Sequence, residues 1–154
     1  MVINQKHFNC TRRFSWLIIL LAGIITLSCT KHSHKNDVKP EEKIMPDIRT
    51  GQAILHPLGG LVEKFNVNFE KIGNVPIEEY GMAYLFQVEP TFMEPVLDGP
   101  NPVVKFKGEP KQGSITETVN IGFPAGTHAV TFRAYVKIKG GEVLYAENSF
   151  KINY

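Results

Sequence analysis

Arg133, Tyr135 and Tyr145 are types and spacings suited to recognition chemistry. Residues two apart on a strand share a face. If Val130, Phe132 and Ala134 face a core, Arg133 and Tyr135 face away from it, and Tyr145 shares that outward face on the next strand. A guanidinium beside two phenols can stack on a sugar ring or on a partner's side chain, and both types are common interface anchors. The same residues can instead form a cross-strand ladder that only supports its sheet, each pair contributing about 0.2–1 kcal/mol.

Catalytic chemistry is harder to find. His128 sits beside the Gly126-Thr127 turn, and Ser114 and Ser149 are candidate hydroxyls, but no GxSxG elbow, HExxH helix, phosphate loop or dinucleotide fingerprint occurs. Glu78-Glu79 and Glu41-Glu42 are adjacent pairs. A strand sends neighbours to opposite faces, the wrong arrangement for a glycosidase pair. His32 and His34 lack further ligands on a rigid frame, so no metal site is expected. The chain does not read as an enzyme, and no cofactor is implied.

Cys29 carries the remaining chemistry. Before it stand a start containing Lys6, Arg12 and Arg13 without an acid, a twelve-residue apolar core from Trp16 to Leu27, and Ser28. These are the parts of a secretory signal, and the core is well short of the roughly 20 residues a spanning helix needs. Thr26-Leu27-Ser28-Cys29 resembles the lipobox of bacterial lipoproteins, with Thr26 where an aliphatic residue is usual. The resemblance implies removal of residues 1–28 and attachment of fatty acyl chains such as palmitate at Cys29. It also implies a membrane partner reached through those chains, since several acyl chains hold stably where one does not. Thr30, rather than the aspartate linked to inner-membrane retention, points to the outer membrane, on its surface or periplasmic face.

Loss of that segment changes the charge. The full chain has 17 basic and 15 acidic residues, formally +2; without three basic residues it is −1. The basic balance therefore belongs to the signal and implies no nucleic-acid partner. Cys10 departs as well, which excludes disulfides and cysteine nucleophiles from a lipidated chain. Residues 29–50 comprise the anchor and a polar, charged stretch with Pro40 and Pro46, expected to be a flexible tether. Its twenty-one residues after Cys29 could span roughly 70 Å when stretched.

Residues 51–154 are the size of one domain and alternate at period two. Phe65, Val67 and Phe69 share one strand face. Tyr80, Met82, Tyr84 and Phe86 share another, and Val130, Phe132, Ala134, Val136 and Ile138 a third. Lys139-Gly140-Gly141 then turns the chain into a strand with Leu144, Ala146, Phe150 and Ile152 on one side. Short strands with regular turns predict an all-β, antiparallel sandwich or barrel. Five prolines between 90 and 110 predict an edge strand or an elaborated loop.

An ordered set of motifs sharpens the fold expectation. Glu79-Tyr80-Gly81-Met82-Ala83-Tyr84, Pro90-Thr91, Gly113-Ser114-Ile115, Pro124-Ala125-Gly126-Thr127, Arg133-Ala134-Tyr135 and Tyr145 through Phe150 follow one another across residues 62–150. Together they resemble the fibronectin type III-like, immunoglobulin-like modules of bacterial surface lipoproteins. Val130 stands where that family often has a tyrosine. The resemblance implies a β-sandwich of about seven strands. The function expected is a lipid-anchored binding or adhesion module with a protein or glycan partner. The alternatives are a structural accessory subunit of an envelope assembly and, less favoured, a small hydrolase.

Overall fold

The computed structural model describes residues 40–88, 92–99 and 101–153. The expected signal, Cys29, His32, His34 and the Pro90-Thr91 motif lie outside those residues. Glu41–Tyr154 forms one compact unit. Among the described residues it is all β, with nine strands: β1 (Asp47–Thr50), β2 (Ile54–Leu55), β3 (Leu61–Lys71), β4 (Ile77–Gln87), β5 (Val103–Lys105), β6 (Gly113–Gly122), β7 (Ala129–Ile138), β8 (Val143–Tyr145) and β9 (Phe150–Asn153).

They form two antiparallel sheets, giving a β-sandwich. One sheet holds β1, β2, β3 and β6; the other holds β4, β5, β7, β8 and β9. β6 runs along β3 from Leu61 to Phe69. β1 and β2 pair with different stretches of β3, so they share its other edge as one interrupted lane. β8 and β9 divide one edge of β7 in the same way, opposite β4. Nine strands therefore lie in seven lanes, three in one layer and four in the other.

Side-chain alternation explains the layering. Phe65, Val67 and Phe69 of β3 are all buried, and Val62 joins them because a register shift between Val62 and Lys64 breaks the period by one residue. Val130, Phe132, Ala134, Val136 and Ile138 of β7 face them, with Tyr80 and Met82 of β4. Phe65 meets Phe132 at 5.1 Å between ring centroids, and Phe69 meets Tyr80 edge-on at 5.3 Å. Those contacts cross between layers, and each buried ring contributes about 1.5–3 kcal/mol.

The domain begins earlier than the sequence reading placed it. The tether expected over residues 29–50 ends sooner, because Asp47–Thr50 is β1, with Ile48 buried in the core. Four residues with one apolar position give too little period to register in sequence; their order comes from pairing with β3. Upstream, Asn74 holds the incoming chain: Oδ1 accepts from the Ile44 N–H at 2.8 Å and Nδ2 donates to the Glu42 carbonyl at 2.9 Å. Neighbouring Gly73 has φ +73°, and a Cβ there would lie 2.2 Å from the Ile44 carbonyl oxygen. Only glycine fits that turn.

Where β8 gives way to β9, Thr50 fills the gap. Its hydroxyl accepts from the buried Ala134 N–H at 2.9 Å and donates to the Asn148 carbonyl at 2.6 Å. The Asn148 amide returns two bonds to the Thr50 backbone, at 2.8 and 2.9 Å. This clasp joins the two sheets and satisfies groups that an interrupted lane leaves open.

Candidate functional site

The outer face of the five-strand sheet is set by the parity of β7. With Phe132, Ala134 and Val136 in the core, Thr131, Arg133 and Tyr135 project to the other side. Tyr145 pairs with Tyr135 across β7 and β8, so the three expected stripe residues do come together. Their surroundings differ from the expectation. Tyr135 is fully buried, and Arg133 is only 19% exposed. The stripe was expected to face solvent; instead the segment 92–99 lies over it.

Each anchor of that covering segment is defined. Thr131 Oγ1 donates to the Met93 carbonyl at 3.1 Å. Arg133 Nη1 pairs with Glu94 Oε2 at 2.6 Å, its Nε donates to the Ala146 carbonyl at 2.7 Å, and its guanidinium sits 5.2 Å from the Tyr145 ring centroid. Tyr145 Oη accepts from the Leu97 N–H at 2.8 Å. Pro95 is fully buried between these anchors. Gln87 reaches Met93 and Thr131 at 3.4 Å through Nε2, while its Oε1 is buried and has no hydrogen-bond partner among the described residues.

Tyr135 extends the network along the sheet. Its hydroxyl donates to Glu79 Oε1 at 2.8 Å, and Glu79 Oε2 pairs with Lys105 Nζ at 2.6 Å. Burial pushes the Tyr135 phenol far above the usual tyrosine range, and Glu79 pushes it further. Burial alone would raise the Glu79 carboxyl, but the bonds from Lys105 and Tyr135 outweigh it and hold the group below its ordinary value.

The covering segment buries Pro95 and ties Glu94, its side chain 44% exposed, to Arg133. Phe92, Met93 and Val96 are 53%, 58% and 40% exposed, with Val88 exposed nearby in sequence. This apolar crest starts above Thr131 and Gln87, at the end of the sandwich holding the 56–60 and 123–128 turns. The chain enters the domain at the other end, beside Asn74 and the 139–142 turn. Sequence reasoning found Arg133 and Tyr145 but missed Gln87, Glu94 and the crest. The available signal was Glu94-Pro95 inside the proline-rich segment, whose carboxylate pairs with Arg133.

The other candidates stay apart. His128 is exposed at the start of β7, with its backbone N–H bonded to the Gln87 carbonyl, and Ser114 is exposed on the opposite sheet. Ser149 reaches only Glu94, at 3.4 Å. Among the described residues, no three His, Cys, Asp or Glu side chains gather into a metal-binding group. Compared with protein-family models, curated proteins and solved structures, the chain matches none.

Proposed function

We propose that this protein is a lipid-anchored envelope lipoprotein whose sandwich serves as a non-catalytic binding module, with the outer face of the five-strand sheet as its binding face. The observation that carries the reading is the apolar crest of Phe92, Met93 and Val96, held outward by polar anchors beneath it. A loop pinned to the sheet with Phe92, Met93 and Val96 exposed leaves apolar area in water, which a partner would cover. Arg133 and Tyr145 then act through the covering segment: they position it rather than touch the partner in this closed form.

Three further features support the reading. The lipobox likeness at Thr26-Leu27-Ser28-Cys29 supplies an anchor, with the outer membrane as its site. The chain enters the domain at the end remote from where the crest begins, so an anchored domain can present the crest away from its attachment. Seven lanes in two antiparallel layers also suit the fibronectin type III-like likeness.

The test has two arms. Cys29→Ala is expected to abolish labelling by an alkyne fatty acid and to free the domain from the membrane. Replacing Phe92 and Met93 together by serine is expected to weaken partner capture at least about tenfold, the scale of losing one interface anchor, with the melting temperature unchanged. Capture unaltered by that double substitution would exclude the crest.

A further inference from the structure

We infer that the sheet face beneath the covering segment is a second, occluded binding site, and that its ligand is an extended acidic peptide segment of a partner protein. The inference rests on the reading of this face as the binding face and names the partner chemistry it takes in an open form. The closed form already shows how such a peptide sits. Residues 93–97 lie on the sheet as a short peptide would, held by two main-chain bonds, one carboxylate and a buried proline.

The site has four elements. Arg133 takes a carboxylate, here that of Glu94. Thr131 donates to a main-chain carbonyl one residue before it, here that of Met93. Tyr145 Oη accepts a main-chain N–H three residues after it, here that of Leu97. Pro95 fills the buried space between. Main-chain bonds give affinity and one charged pocket gives selectivity, the division usual in peptide recognition on sheets.

Beside the three side chains Arg133, Thr131 and Tyr145, the fourth element of the site is Gln87, an acceptor that the covering segment leaves unused. Gln87 is 5% exposed, its Nε2 contacts are long at 3.4 Å, and its Oε1 has no hydrogen-bond partner among the described residues. A buried amide oxygen in that state favours any occupant that brings a donor to it. The intramolecular segment holds its place through its high effective concentration, on the order of millimolar, rather than through a complete fit. A partner segment that carries a carboxylate for Arg133 and a donor for Gln87 would therefore replace it.

The experiment uses the full chain in detergent micelles, labelled for nuclear magnetic resonance. The opened variant carries Glu94→Ala with Leu97→Pro, which removes the ion pair and the N–H donated to Tyr145. The probe is a synthetic peptide of residues 92–98, FMEPVLD, titrated into the opened and wild-type chains. Saturable binding to the opened chain is expected, with shifts at the Arg133 Nε–H and the Thr131 amide. Wild-type binding should be weaker by about tenfold or more, the worth of one charge-assisted hydrogen bond. A probe with glutamine in place of its glutamate, or Arg133→Ala in the opened chain, should lose binding by a similar factor. Absence of saturable binding to a folded opened chain would overturn the inference, as would binding indifferent to Arg133. Tighter binding of an oligogalacturonate probe at Arg133 would overturn the peptide assignment in favour of an acidic glycan. The Phe92 and Met93 double substitution in cells reads the crest separately, so the two proposals fail independently.

Discussion

Arg133 illustrates how one side chain's role follows from what covers it. Its guanidinium holds Glu94, the Ala146 carbonyl and the Tyr145 ring at once. Arg133→Ala is expected to lower stability by about 1–3 kcal/mol, leave the domain folded, and expose the Leu97 amide to hydrogen exchange. Exchange at Leu97 unchanged from wild type would remove Arg133 from the positioning role. Glu79 gives a pH prediction. Its folded pKa is depressed, so its contribution to stability is complete above the ordinary value of about 4.3 and is lost as pH falls through the lower folded value. Urea unfolding between neutral and acid pH should show a flatter acid slope in Glu79→Gln. Tyr135 runs the other way: its pKa is raised, so its contribution holds below about 10 and declines as alkali ionises it. Ultraviolet titration should find one phenol that ionises only with alkaline unfolding. At this scale the sequence disclosed direction but not exposure. Parity places Arg133 and Tyr135 away from the core, but it cannot show that residues forty positions earlier fold over them.

Strand interruptions decide the behaviour of the elements. β8 and β9 share one edge of β7, and Thr50 closes the gap between them by accepting from Ala134 N–H. Thr50→Val keeps the shape and removes the hydroxyl, so it should cost about 1–3 kcal/mol in chemical denaturation. A loss near zero would mean that the clasp is dispensable. Gly81 is a second fixed point, because a Cβ there would lie 2.0 Å from the Val104 carbonyl oxygen. Gly81→Ala should therefore loosen β5 from β4 at a cost of about 1–3 kcal/mol, read as lost protection of the Phe106 amide, which donates to the Tyr80 carbonyl. The long strands were legible: β3, β4 and β7 each show a repeated period-two face that the core uses. Short ones were not, since Asp47–Thr50 and Ile54–Leu55 owe their order to β3 rather than to their own pattern. The prolines between 90 and 110 did mark the outlying part of the second sheet. β5 there pairs only with β4, and 92–99 covers the face.

Taken whole, the domain has two different ends. The chain enters beside Asn74, and the apolar crest begins at the far end above Gln87 and Thr131. The proposed binding crest is thus remote from where residues 42–44 join the domain. The central claim, that the outer face of the five-strand sheet is the binding face, is tested most directly by photo-crosslinking in intact cells. A photoreactive residue at Met93 would be compared with one at Thr116, exposed on the opposite sheet. A discrete adduct is expected from position 93 and none from 116, with loss of that adduct when Arg133→Ala releases the covering segment. Adducts of equal yield from both faces, or an adduct from 116 alone, would contradict it.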